Sequence, residues 1–127
     1  MSLRKNLRAT TVALCAISLS TALFALNANA GPTTGKAEAG KAIYKTKCAV
    51  CHKADGTGGF KTSGNPTPNW TLKKTWDATR TDDFLRDCIV NGKLKSGMVA
   101  WGKTKQLTPA QVEDLIAYIK TFKATAK

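Results

Sequence analysis

Cys48-Ala49-Val50-Cys51-His52 is the stretch on which the reading of this 127-residue chain turns. Its spacing, C-x-x-C-H, is the attachment signature of a c-type haem. Two thiols on one turn of chain add to the two vinyl groups along one edge of the macrocycle. The adjacent His then lies over the porphyrin face, where an imidazole nitrogen reaches the iron. C-x-x-C alone would equally suggest a redox dithiol or half of a zinc site. The choice depends on whether the rest of the chain supplies an export signal, a second iron ligand and a small helical shell.

The first thirty residues supply the export signal. Arg4, Lys5 and Arg8 form a basic start, an uncharged run follows from Val12 to Leu26, and Ala28-Asn29-Ala30 ends it with small residues. This is the pattern of a secretory signal peptide over residues 1–30, cleaved after Ala30 and directing the chain to the periplasm. Ser18, Ser20 and Thr21 interrupt the apolar run, which falls short of the roughly 18–20 residues of a membrane span. No stable membrane insertion is therefore expected. Leu14 places a bulky residue before Cys15, which argues against lipoprotein processing.

The mature chain, residues 31–127, keeps 17 Lys and Arg against 8 Asp and Glu, a formal charge of +9. One domain of this size buries a modest core, and a covalent cofactor would staple it. Only Cys88 remains beyond the motif and the leader, so a disulfide framework is excluded. Helix formers and apolar residues at helical spacing predict a helix from Lys36 to Val50, with Gly40 inside it. Two loop stretches follow, Asp55–Gly59 and Ser63–Pro68. Thr81-Asp82-Asp83 reads as a helix start and Asn91-Gly92 as its stop, with Cys88 on the apolar stripe between them. After a loop holding Met98 and Trp101, Thr108-Pro109 starts a last helix whose apolar face is Val112, Leu115, Ile116, Ile119 and Phe122. No strand pattern or internal repeat is present. The expectation is an all-α chain with three main helices and long loops wrapped around one covalently bound haem.

The ligands follow by elimination. His52 is the only histidine, so a bis-histidine centre is not available. Met98 is the only methionine beyond the start residue, and its soft thioether favours ferrous iron as the sixth ligand. Lys93 or Lys95 would compete with it at high pH. A carbonyl of the Pro66–Asn69 loop is the expected acceptor for the second nitrogen of His52.

These features together resemble a small class I cytochrome c, through most of the mature sequence. Gly40 and Tyr44 stand where that family has a Gly and an aromatic on the first helix, and Leu115 and Tyr118 stand for their partners on the last. The resemblance implies a close crossing of the two helices at Gly40. Pro68-Asn69-Trp70 is similar to the family's Pro-Asn-Leu segment, with Trp for Leu, and implies that the Pro68 carbonyl holds His52. Met98-Val99-Ala100-Trp101-Gly102 is similar to the family's Met-Pro-Ala-Trp/Phe-Gly, with Val replacing Pro and leaving the loop less rigid. The implied site is haem c on Cys48 and Cys51, iron on His52 and Met98, with Pro68, Trp70 and Trp101 around it and Phe84 and Ile89 completing a dry shell.

With both axial positions filled, such a site moves single electrons and performs no catalysis of its own. The expected protein is a soluble periplasmic monomer that shuttles electrons between redox partners. Lys53, Lys61, Lys93, Lys95, Lys103 and Lys105 fall in loops expected to rim the haem and to meet acidic docking patches. Two alternatives remain: a haem-bearing subunit of a larger periplasmic oxidoreductase, and a peroxide- or small-ligand-reactive haem protein with a labile Met98. Dispersed charge on an exported chain argues against nucleic-acid binding.

Overall fold

Lys36 is extended and the chain turns helical directly after it, as the run of Ala residues and Lys41 favours. The computed structural model describes residues 35–127, so the expected signal peptide and the chain start at Gly31 lie outside the described residues. Helix α1 covers Ala37–Ile43, a π-helical turn covers Tyr44–Cys48, and α2 covers Ala49–His52. The three are continuous, so the helical path reaches His52, two residues beyond the expected end at Val50. Helix α3 covers Asp82–Asn91 and α4 covers Pro109–Ala124. Short 3-10 turns at Lys73–Thr75 and Leu94–Ser96 punctuate the loops. Among the described residues there is no sheet, only an isolated antiparallel bridge between Lys93 and Met98.

The helix starts follow local chemistry. The Thr81 hydroxyl accepts the amide of Phe84, and Asp82 and Asp83 lie in the positive first turn of α3. Thr108 and Gln111 form a reciprocal capping box at α4, with Pro109 in the first turn. Arg86 of α3 binds Glu113 of α4 through two bonds, 2.6 and 3.0 Å, and Lys120 reaches Asp82 at 2.9 Å, so the first half of α3 is tied to α4 at two points.

The core lies where α1 meets α4. A Cβ at position 40 would stand 1.9 Å from the Asp114 carbonyl oxygen, so only glycine permits this approach of the two backbones. Tyr44, 1% exposed, packs edge-on against Tyr118 at 5.1 Å and against Phe122 at 5.7 Å. Leu115 and Val112 are fully enclosed beneath it. The expected pairing of Gly40 and Tyr44 with Leu115 and Tyr118 is therefore present. Leu85 and Ile89 of α3 and Trp70 from the loop complete the buried cluster.

Candidate haem site

Helical spacing carries Tyr44, Cys48 and His52 to one wall of a single cavity of about 310 Å³, within the roughly 300–1,000 Å³ of ligand-sized clefts. Pro68 and Trp70 join that wall from the loop after the motif. Phe84, Leu85, Cys88 and Ile89 of α3, then Met98 and Trp101, line the same cavity. The lining is mainly aliphatic and aromatic. Residues separated by tens of positions thus meet around one apolar space, including every expected site residue except Cys51. Cys51 is half-buried beside the cavity, and its carbonyl accepts the Thr67 hydroxyl at 2.9 Å.

The electrostatics suit neutral groups. Burial pushes the Cys48 thiol up to about 11, so it is protonated at neutral pH. Burial also lowers the pKa of His52, which holds its imidazole neutral, the form that coordinates a metal. The His52 ring stacks at 6.3 Å on Trp70, whose own ring lies 5.2 Å from Trp76.

One expectation needs correction. The buried Nδ1 of His52 has no hydrogen-bond partner, so no carbonyl of the Pro66–Asn69 loop holds it in this structure. The loop's carbonyls are turned to other neighbours. Thr67 accepts the amide of Gly59, Asn69 accepts the Thr75 hydroxyl, and the Pro68 oxygen packs against Gly58. The close approach at Gly58 is possible because it lacks a side chain and holds a φ of +59°.

Residues 35–119, more than half of the chain, match the family described as "Cytochrome C oxidase, cbb3-type, subunit III". The chain belongs to that family. Among solved structures, this family member is similar to the Kuenenia stuttgartiensis reducing HAO-like protein complex Kustc0457/Kustc0458, with 30% sequence identity and a TM-score of 0.53. That match covers 70% of this chain and 43% of the other, so the chain spans less than half of that relative. A second structure, described as KustC0563 c-type cytochrome, is 22% identical with a TM-score of 0.47, covering 69% of this chain and 98% of that one. No curated protein gives a significant match.

A cytochrome c domain with this spacing binds haem c covalently through Cys48 and Cys51, and the residues present fit that group. A haem is flat and apolar, carries two carboxylates on one edge and a metal at its centre. The cavity offers apolar walls, one imidazole and one thioether. It also has two buried N–H donors without partners, Trp70 Nε1 and Arg80 Nε. An unpaired buried donor is costly, and two in one apolar cavity call for a ligand carrying acceptors. The zinc alternative has no second half: no cluster of three or more His, Cys, Asp or Glu suited to a metal occurs among the described residues. No described helix is long and apolar enough to cross a membrane.

Sequence reasoning missed Arg80. It precedes the Thr81 cap, its guanidinium lies 4.7 Å over the Phe84 ring, and no spacing rule links it to Trp70. Lys47 was missed too; its ammonium sits 5.1 Å over Trp101 and joins the motif helix to the Met98 segment.

Proposed function

We propose that the chain is the haem-bearing electron-transfer subunit of a larger oxidoreductase outside the cytoplasm, with His52 and Met98 as the axial pair. The observation that carries this is the single cavity lined by Cys48, His52 and Met98 together. Haem c supplies a one-electron ferric–ferrous couple when bound. The chain's own residues do the rest. His52 and Met98 would hold the iron and would leave no open position for oxygen or peroxide. Trp70, Phe84, Ile89 and Trp101 exclude water and disfavour the extra charge of the ferric state. Trp70 Nε1 and Arg80 Nε are placed to donate to the haem carboxylates. Trp70→Phe keeps a ring against Trp76 and removes the donor. It is expected to lower the stability of the haem-loaded protein by about 1.5–3 kcal/mol, the range for hydrogen bonds to charged groups. Urea unfolding followed by haem absorbance checks this, and an unchanged midpoint would reject the assignment.

Two findings support a subunit over the freely diffusing shuttle that sequence alone suggested. The family is described as a subunit of an oxidase. The 30%-identical relative belongs to a complex, and this chain spans 43% of its length. Docking would use exposed apolar and basic residues: Val50 is 79% and Val99 39% exposed, and lysines 53, 61, 93, 95, 103 and 105 are exposed. Such residues suit an acidic partner. The expected export signal in residues 1–30 belongs to the same proposal. Purification from native cells at natural expression tests it: the chain should migrate with a second redox-active protein. Migration solely as a lone domain would restore the free-carrier reading.

A further inference from the structure

We propose that Thr62 and Ser63 are positioning residues for Met98, forming a latch between the loop after the haem-attachment motif and the turn that presents the thioether. The inference rests on Met98 being the sixth ligand and adds what holds it in place.

The ends of the turn are fixed, by the Lys93–Asp87 ion pair at 3.2 Å and by Met98 against the core cluster, but its tip is not. Lys93 and Met98 exchange two backbone hydrogen bonds, 3.1 and 3.2 Å, and so close the segment between them into a compact unit. That closure fixes the turn's internal shape but not its position over the cavity. Leu94, its largest apolar side chain, is 75% exposed and provides no anchor in the core. Lys95, Ser96 and Gly97 are exposed as well. Val99, which follows the thioether, carries no ring to restrict its backbone.

The hold comes from a loop more than thirty residues earlier. The Thr62 hydroxyl donates to the Ser96 carbonyl at 2.9 Å, and the Ser63 hydroxyl donates to the Lys95 carbonyl. Gly97 makes room for this contact, because a Cβ there would lie 2.6 Å from Thr62 Oγ1, and it adopts a φ of +79°. The base of the loop is itself pinned. Thr67 bonds the Phe60 carbonyl at 2.8 Å through its amide and the Cys51 carbonyl at 2.9 Å through its hydroxyl. The loop is thus a strap hydrogen-bonded at both ends, by Thr67 to the Cys51 carbonyl and by Thr62 and Ser63 to the two residues before Gly97-Met98. Asn65, Pro66 and Ser96 of the strap line the cavity mouth.

The test uses the haem-loaded, full chain in the ferric state, with imidazole as the competing ligand. Imidazole binds only while the thioether is away, so its apparent affinity scales with the open fraction. Loss of both hydroxyl bonds in Thr62→Ala/Ser63→Ala is expected to tighten imidazole binding on the order of tenfold. The far-red sulfur-to-iron band should also be lost at a lower temperature. Thr62→Ser, which keeps the donor, should behave as wild type, whereas loss of mere packing would not be rescued. If the double variant fails to load haem, Ser63→Ala and Thr62→Val are titrated singly, each expected to show a smaller shift in the same direction. A wild-type band and wild-type imidazole affinity in the variants would overturn the latch alone. A wild-type protein that lacks the band and matches Met98→Ala in imidazole affinity would overturn the ligand assignment and the latch together.

Discussion

Met98→Ala is expected to lower the reduction potential by on the order of 0.1–0.2 V, a fraction of the roughly 0.8 V that axial-ligand choice spans. At about 2.3 kcal/mol per 100 mV, that is a few kcal/mol of lost preference for ferrous iron. The cause is chemical: a thioether is a soft donor that stabilises the reduced metal, and alanine offers no donor. The void left on the wall beside Trp101 and Ile89 also admits water and small ligands. Lys93 lines the same cavity, yet its ammonium is held 3.2 Å from Asp87 and 5.7 Å over the Phe84 ring, so it does not simply take the vacated position. A redox titration with a cyanide or imidazole titration of the ferric variant checks both effects. An unchanged potential with unchanged ligand binding would remove Met98 from the iron and bring back the alternatives weighed above.

Gly40→Ala should be strongly destabilising. On helix propensity alone it would stabilise by about 1 kcal/mol. The added Cβ, however, would lie 1.9 Å from the Asp114 carbonyl oxygen and 2.5 Å from its carbon. That carbonyl belongs to the α4 ladder and cannot swing aside without losing its own hydrogen bond. The helices must therefore separate, which opens the packing of Tyr44 on Tyr118 and Leu115. A net loss of about 3 kcal/mol or more is expected, the upper range for overpacking, against a total of about 5–15 kcal/mol for a small domain. Guanidinium unfolding of the haem-loaded protein would show a lower midpoint. A midpoint equal to or above wild type would mean that the crossing is looser than this geometry.

Much of this was legible because the decisive signals are local. Thr81-Asp82-Asp83 and Thr108-Pro109 announce helix starts through side-chain chemistry within one turn, and both caps form as written. Elimination could single out His52 and Met98 because the chain has one histidine and one methionine beyond the start residue. The π-helical turn at Tyr44–Cys48 has no such signature among its residues. Arg80, Thr62 and Ser63 were illegible for a related reason. Their roles depend on loops that meet across more than thirty positions, and neither periodicity nor composition records such meetings. The Pro66–Asn69 segment shows the converse: its motif marks where the chain passes His52, but carbonyl direction is set by Gly58 and Asn69 acting on the loop.

Tyr44 shows what this arrangement means for variation. Its ring is the shared contact of Tyr118 and Phe122, while its hydroxyl donates to the carbonyls of His52 at 3.4 Å and Lys53 at 3.1 Å. One rigid side chain thus spans from the outer turns of α4 to the backbone that bears the imidazole. Substitutions at Tyr118 or Phe122 therefore bear, through Tyr44, on the backbone that carries His52. Sequence drift in the C-terminal helix thus reaches the segment bearing the proposed iron ligand through a single ring, while Tyr118 and Phe122 themselves stay outside the cavity lining.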